Sequence, residues 1–312
     1  MPPVVVAESL QKNWGSTRAL DGATFTVGSG VTGLLGANGS GKTTTLGLLL
    51  GMHNPDGGTL SVLGMDPRTH GSEIRGLVGY APEHDALPPD VRAYEVVAHL
   101  AEVRGLPRRE AAGRASDVLF ELGLGEERLR PVGTMSTGQR QRVKLAQAIA
   151  HDPELVLLDE PTNGLDPVQR EEMLRLVRRV AHEMGINVLL SSHLLEEVER
   201  IADDVVILDQ GRTVAAGSVV DLQRGEGPAE LLVEVDDGAR RLGKALSAAR
   251  VSVTVVDASR LVVAFAGDET YDAIRDALAE EEIPVRRIAH RRETLEDVFL
   301  AAGDAATGAA PR

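Results

Sequence analysis

The 312-residue sequence has no cysteine, no long apolar segment and no excess of positive charge. Without cysteine, the chain cannot form disulfide bonds, thiolate nucleophiles or cysteine-ligated zinc sites, and a reducing cytoplasm is the expected compartment. A run of about 18 apolar residues, as a transmembrane helix requires, is absent, and the start MPPVVVAESLQKN lacks the basic and apolar regions of a signal peptide. We therefore expect a chain that neither spans a membrane nor is secreted.

The charge balance argues against a nucleic-acid partner. The net charge is −14, with 22 Lys and Arg against 30 Asp and Glu in residues 1–224, and 11 against 17 in residues 225–312. Proteins that bind a duplex normally present a basic surface that releases counterions from the phosphates. Neither part of the chain has this surplus, so no nucleic-acid partner is expected.

The remaining composition is that of an ordinary globular protein. Hydrophobic residues make up 43% and charged residues 26% of the chain, and its length suits two domains. The character of the sequence changes near Gly225. We therefore expect a large domain over residues 1–224 and a small one over residues 225–312.

A phosphate-binding loop is predicted between the apolar strand VTGLL and the helix KTTTLGLLLGM. The intervening GANGSGKT, Gly36–Thr43, fits the pattern G-x-x-x-x-G-K-[ST] at every fixed position. Glycines allow backbone N–H groups to surround the β- and γ-phosphates, Lys42 supplies positive charge, and the Thr43 hydroxyl is suited to Mg²⁺. A glycine-rich turn before a helix is the alternative. The predicted nucleotide-binding residues here are Gly36, Ala37, Asn38, Gly39, Ser40, Gly41, Lys42, Thr43 and Thr44.

Two further apolar strands end in groups that can take part in catalysis. LVLLDE ends in Asp159, a candidate ligand of Mg²⁺ through water, and Glu160, a candidate base for an attacking water. Both should lie at the carboxyl edge of the sheet, beside the phosphate loop. INVLLSS leads into His193, whose imidazole is placed to reach a γ-phosphate. The alternatives are that the two acids cap the next helix and that His193 is structural.

The segment MSTGQRQ, residues 135–141, predicts a second phosphate site. Free N–H groups and the positive end of a helix dipole converge at such a helix start. Ser136 is also a suitable N-cap for the helix QRVKLAQAIA, and the two interpretations are compatible.

These segments together resemble the nucleotide-binding subunit of an ABC transporter over about residues 4–220. In the terms of that family GANGSGKT is the Walker A loop, LVLLDE the Walker B strand, MSTGQ the signature, NGLD the D-loop and SSH the switch histidine, in the family's order and spacing. The resemblance implies an α/β fold, the P-loop ABC ATPase cassette with a mixed sheet. It also implies ATP hydrolysis, with ATP and Mg²⁺ as cofactors.

The resemblance implies two partners as well. In this family two cassettes pack head to tail, so Ser136, Gly138 and Gln139 of one chain face the γ-phosphate bound by the other, and Asp166 of the D-loop joins the nucleotide site. A homodimer is therefore expected. A membrane-spanning permease is the other expected partner, with the chain peripheral on the inner face of the cell membrane.

Two site residues are assigned by resemblance alone. Trp14, the only tryptophan, stands where the family has an aromatic side chain that stacks on adenine, a contact worth about 1–3 kcal/mol. A core or strand-edge tryptophan is the alternative. Glu83 in GYAPEHD stands where the family usually has a glutamine that contacts Mg²⁺ and the attacking water. A carboxylate is also a suitable Mg²⁺ ligand, unless Glu83 points into solvent.

Two regions flank this predicted site. Residues of about 84–150 should form the family's helical subdomain, because RAYEVVAHLAEV and PRREAAGRASDVLFELG are amphipathic. Residues 225–312 follow the order strand, helix, strand, strand, helix, strand, which predicts a ferredoxin-like α+β accessory domain. Within it, the basic run RRIAHRR suits either an edge strand or contact with a partner cassette or anionic membrane.

Export is the expected direction of transport. TLEDVFL resembles the closing helix of cassettes in ABC-2 exporters. One alternative is a soluble ABC ATPase acting on nucleic acid or ribosomes, but the chain lacks the long coiled coil or the second cassette of those proteins. The other is a slow nucleotide-gated binding module, against which Glu160 argues.

Overall fold

The computed structural model describes residues 2–84, 87–223, 230–290 and 295–298. These residues form two compact units that divide between Val219 and Val220. The predicted boundary at Gly225 lies outside the described residues, as does part of TLEDVFL.

The first unit alternates strands and helices. Its strands are β1 (Val5–Trp14), β2 (Thr17–Val27), β3 (Val31–Leu35), β4 (Gly57–Val62), β5 (Val78–Ala81), β6 (Leu155–Asp159), β7 (Asn187–Ser192), β8 (Asp204–Asp209) and β9 (Arg212–Ser218). Its helices are α1 (Lys42–Leu49), α2 (Pro67–Leu77), α3 (Ala93–Val103), α4 (Arg108–Glu121), α5 (Thr137–Ile149), α6 (Pro167–His182) and α7 (Leu195–Ile201), followed by α8 (Val219–Leu222).

A six-stranded sheet forms the centre of this unit, in the order β5-β6-β7-β3-β8-β9. The first five strands run parallel and β9 is antiparallel. Strands β3 and β6 are buried along their whole length, as continuous apolar strands in a covered parallel sheet should be. The carboxyl ends of β3, β6 and β7 therefore meet at one edge, so the loop after β3, the two acids that end LVLLDE and the histidine after β7 lie together there, as predicted.

A second, antiparallel sheet has the order β2-β1-β4. Strands β1 and β2 form a hairpin of 10 and 11 residues. The residues next to the turn are mostly exposed, so their strand conformation comes from cross-strand hydrogen bonds rather than from an apolar pattern.

The predicted amphipathic helices are present as α3 and α4. Apolar residues on one face of each helix are buried: Ala93, Val97 and Ala101 of α3, and Ala111, Ala115, Val118 and Leu119 of α4, with Leu122 directly after it. Leu100 of α3 is half-buried. Short 3₁₀ turns at Glu126–Leu129 and Val132–Thr134 lead to α5. No helix in the described part of the chain is both long and apolar enough to cross a membrane.

The second unit has the predicted ferredoxin-like topology. Its elements are β10 (Glu230–Val235), α9 (Ala239–Ala248), β11 (Val253–Val255), β12 (Arg260–Ala264), α10 (Asp268–Glu280) and β13 (Val285–His290). The strand order is β11-β12-β10-β13, with every neighbouring pair antiparallel. Most of RRIAHRR forms the edge strand β13, while Arg291 and Arg292 lie outside the described residues.

Candidate functional site

The phosphate loop closes around the ammonium group of Lys42. This side chain is 7% exposed, and its Nζ donates to the Gly36 carbonyl at 2.7 Å and to that of Ala37 at 3.4 Å. Gly41 has a φ of 108°, and a Cβ there would lie 2.6 Å from the Ala19 carbonyl oxygen. Glycine is therefore required where the loop turns into α1.

Asp159 lies beneath this loop at the end of β6. It is 3% exposed, and its two carboxylate oxygens accept from Thr43 Oγ1 at 3.2 Å and Ser191 Oγ at 2.6 Å. These hydrogen bonds join the starts or ends of three elements, α1, β6 and β7. Residues from three distant parts of the chain thus form one polar cluster.

Glu160 follows in a left-handed backbone conformation, with a φ of 48°. This conformation is uncommon for residues other than glycine and points to a constrained position. Its N–H donates to Ser191 Oγ at 3.0 Å. The carboxylate lies between Lys42 Nζ, 3.4 Å from Oε1, and His193 Nδ1, 2.8 Å from Oε2.

The capping alternative for these acids is wrong. Helix α6 begins at Pro167, and its N-cap is Asp166, whose carboxylate accepts from the Gln169 N–H at 2.9 Å. Asp159 and Glu160 instead make the contacts described above. Asp166 does not line the cleft beside the phosphate loop, so its predicted contact with a nucleotide stays a prediction.

The site has a negative local field. Burial raises the pKa of Asp159, the Ser191 and Thr43 hydroxyls lower it, and the charges of Glu83 and Glu160 raise it further. Burial together with the charges of Asp159 and Glu83 also raises the pKa of Tyr80 to about 12. A cation entering this region would therefore be attracted.

The oxygen groups present suit Mg²⁺. Magnesium commonly takes one or two protein carboxylates and completes its shell with water and substrate phosphates. Thr43 and Asp159 present such oxygens, and the buried Glu160 Oε1, which lies 3.4 Å from Lys42 Nζ, accepts no hydrogen bond among the described residues. Within the same residues no cluster of three or more His, Cys, Asp or Glu side chains is arranged to hold a metal by itself.

A cleft of about 490 Å³ opens beside these groups. Its lining includes residues predicted from the sequence, namely Trp14, Asn38, Gly39, Gly41, Lys42, Thr43, Thr44, Glu83, Glu160 and His193. It also includes residues that the sequence analysis did not assign to the site, namely Thr17, Arg18, Ala19 and Asn163. Gly36, Ala37 and Ser40 belong to the loop but do not line this cleft.

Trp14 is at the end of β1 and is 45% exposed, so it is not a core residue. Its ring lies nearly perpendicular to that of His53 at a centroid distance of 4.8 Å, and Lys12 Nζ lies 4.9 Å from its centroid. The indole is therefore supported by neighbouring side chains while it borders the cleft.

Glu83 also borders the cleft rather than only solvent. Its Oε1 accepts from Asn163 Nδ2 at 2.9 Å. Asn163 belongs to the NGLD segment, but nothing in its residue type or spacing indicates this partner, which is 80 positions away.

Three residues of MSTGQ, namely Ser136, Gly138 and Gln139, line a different cavity, of about 200 Å³. Ser136 is the N-cap of α5, as predicted, and forms a reciprocal capping box with Gln139. Gly138 faces the same cavity. The phosphate loop and the second predicted phosphate site therefore occupy separate surfaces of this chain.

Comparison with known proteins agrees with this geometry. A family model described as ABC transporter matches residues 20–163. The Nod factor export ATP-binding protein I of Ralstonia nicotianae is 33% identical over 96% of this chain and 93% of its own length. The daunorubicin/doxorubicin resistance ATP-binding protein DrrA of Streptomyces peucetius is 32% identical over 95% of this chain and 91% of its own.

A solved structure supports the same assignment for the fold. The cbiO1 protein of Clostridium perfringens, described as part of an ABC transporter complex, has a TM-score of 0.64 and 27% identity over 69% of this chain and 88% of that chain. With its phosphate loop, paired acids and histidine at one sheet edge, the chain belongs to the family of ABC transporter ATP-binding proteins, which hydrolyse ATP.

Proposed function

We propose that this chain powers an exporter, acting as a head-to-tail homodimer that drives a separate membrane-spanning permease from the cytoplasmic face of the cell membrane. Relatives named for export and for drug resistance support this proposal. Their similarity covers more than nine tenths of both chains and therefore includes the second unit. The net charge of −14 disfavours the nucleic-acid alternative.

The observation that carries the catalytic part of the proposal is the position of Glu160. Its carboxylate lies between the Lys42 ammonium and the His193 ring, at the border of the cleft. A carboxylate in this position suits a base that takes a proton from the attacking water. His193 orients it, since Nδ1 is within hydrogen-bond distance of Oε2.

The nearby groups suit the charges of a nucleotide. Lys42 supplies positive charge for the phosphates, and the cleft's exposed Trp14 offers a ring face to the base. Thr43 and Asp159, with Glu83 from the facing loop, would hold Mg²⁺, which supplies charge neutralisation at the β- and γ-phosphates.

The separation of the two phosphate sites supports the homodimer. Ser136, Gly138 and Gln139 border a cavity that shares no lining residue with the cleft. A signature that completes the site of a second copy explains why one chain has two phosphate-binding segments.

Transport in inverted membrane vesicles tests the export proposal. Vesicles should contain this chain and a candidate permease, with ATP added outside. We expect solute to accumulate inside the vesicles when ATP is present. Uptake that needs no ATP, or ATP-driven loss of solute from loaded vesicles, would contradict export.

The Glu160→Gln variant is the matched control for the requirement for ATP hydrolysis in this transport assay. It retains the shape of the side chain but removes its basicity, so ATP should still bind while hydrolysis slows by roughly 10²–10⁴. Binding can be followed through the fluorescence of Trp14, the chain's only tryptophan. A variant that hydrolyses ATP at the wild-type rate would show that another group is the base.

A further inference from the structure

We infer that Asn163 is a positioning residue for the nucleotide site, where it holds the carboxylate of Glu83 beside the other acids. This inference rests on the proposed role of Glu83 toward Mg²⁺. It adds a residue that neither the motifs nor the likeness to relatives assigns to that task.

The direct contact joins two loops at the cleft. Asn163 Nδ2 donates to Glu83 Oε1 at 2.9 Å, and both residues line the cleft. The N–H of Asn163 donates to the Glu160 carbonyl at 3.0 Å. Asn163 is therefore fixed one turn beyond Glu160, and its side chain extends from there to the loop after β5.

Side chains of helix α5 form hydrogen bonds with the backbone of both loops, at Glu83 and at Asn163. Lys144 Nζ donates to the Glu83 carbonyl at 2.8 Å, and Gln141 Nε2 donates to the Asn163 carbonyl at 3.4 Å. These two side chains are 2% and 6% exposed, and they lie three positions apart on one face of the helix. Burying a polar side chain costs free energy unless it forms hydrogen bonds. Because Lys144 and Gln141 satisfy this requirement by donating to the backbone carbonyls of Glu83 and Asn163, they fix the backbone of each loop.

The charges explain why Glu83 needs a donor. Asp159 and Glu160 are both negative, and the charge of Glu83 is among those that raise the pKa of Asp159. Repulsion would favour rotation of Glu83 away from them and toward solvent, since its side chain is 35% exposed. The amide of Asn163 opposes this movement, because an N–H bonded to a charged oxygen is among the stronger hydrogen bonds.

The test exchanges the amide of Asn163 and the carboxylate of Glu83. Asn163→Asp places a carboxylate against that of Glu83. In that background, Glu83→Gln restores one donor and one acceptor with the same total charge as the wild type. Each protein is assayed in two ways: the midpoint of thermal unfolding without nucleotide or Mg²⁺, and the Mg²⁺ concentration that gives half-maximal ATP hydrolysis.

We expect Asn163→Asp to lower the unfolding midpoint and to change the half-maximal Mg²⁺ concentration by about threefold to tenfold, the scale of one ordinary hydrogen bond. The double variant should recover most of the unfolding midpoint and part of the Mg²⁺ response. The recovery is specific to a contact between the two side chains, because an unrelated structural effect would not be corrected by a second change.

Asn187→Asp is the control for added charge. Asn187 begins β7, at the end of that strand away from the cleft. Adding Glu83→Gln should not restore stability in that background. Effects of Asn163→Asp and Glu83→Gln that simply add in both assays would overturn the inference. The thermal assay needs no hydrolysis, so it tests the pair even if the proposed export function fails.

Discussion

At Asp159, the stability of the fold favours a neutral side chain, whereas the proposed binding of Mg²⁺ requires a negative one. Its carboxylate is 3% exposed and lies near two other acids. Burial raises its pKa above the ordinary 3.8, which means that the folded chain disfavours the charged form. The same negative charge is what the proposed role toward Mg²⁺ requires.

Asp159→Asn should therefore stabilise the nucleotide-free protein at neutral pH while it reduces ATP hydrolysis to background. When the folded-state pKa of a carboxyl group is raised, its ionisation destabilises the folded protein. This destabilisation is absent below the pKa of the unfolded chain and grows as the pH rises through the folded-state pKa. We expect the variant's unfolding midpoint to exceed the wild type's by a few degrees at pH 7. This difference should disappear as the pH approaches 3.8. A difference that does not change with pH would show that charge is not its cause.

At the scale of elements, helix α7 joins the loops that follow β6 and β7. Its Glu197 is 3% exposed, and Oε2 accepts from Thr162 Oγ1 at 2.9 Å and from Ser192 Oγ at 2.8 Å. Oε1 lies 3.3 Å from Arg170 Nε. Because Ser192 precedes His193 directly, one buried carboxylate sets the position of the histidine relative to the loop after Glu160.

Glu197→Ala should destabilise the protein by about 1–3 kcal/mol, because it leaves the buried hydroxyls of Thr162 and Ser192 without their acceptor. It should also lower kcat more than it changes KM for ATP, since the phosphate loop is untouched. Glu197→Gln, which retains one acceptor, should have a smaller effect on both quantities.

Glu196→Ala is the matched control for this prediction, because Glu196 is the exposed neighbour on the same helix. Its effect should stay within about 0.5 kcal/mol. Chemical denaturation and steady-state ATP hydrolysis provide the two measurements. Equal losses in the two alanine variants would remove the special role of Glu197.

At the scale of the whole molecule, the placement of the signature predicts complementation between inactive chains. Ser136→Arg should leave nucleotide binding intact but prevent association with a second copy of the chain. The reason is that the bulky side chain occupies the surface proposed to face the γ-phosphate bound by that copy. Lys42→Ala should prevent tight binding of ATP in its own loop. Each variant alone is therefore expected to be inactive.

A 1:1 mixture of the two variants should regain activity. Random pairing makes half of the dimers mixed, each with one intact composite site, so about a quarter of wild-type turnover is expected. ATP hydrolysis as a function of mixing ratio measures this recovery. If both proteins are folded and no ratio restores activity, the shared-site arrangement is contradicted.

The phosphate loop, the acids and the histidine could be predicted from the sequence because their spacing is local. Gly41 permits a turn that few other residues adopt, and the apolar strands β3 and β6 end where their functional groups begin. Parallel pairing then brings these ends to one edge of the sheet. The capping role of Ser136 and the topology of the second unit depend on similarly local patterns.

The tertiary structure alone decided which side chains meet across the cleft. Asn163 contacts Glu83 across 80 positions, and Ser191 contacts Asp159 across 32. Both separations are far longer than the helical and strand periodicities that bring nearby residues onto one face, so no local sequence pattern indicates either contact. Trp14 likewise could belong to a core or a cleft until pairing of β1 and β2 placed it at the end of a hairpin. Such contacts depend on how the loops pack, and packing is a property of the folded chain rather than of any one segment.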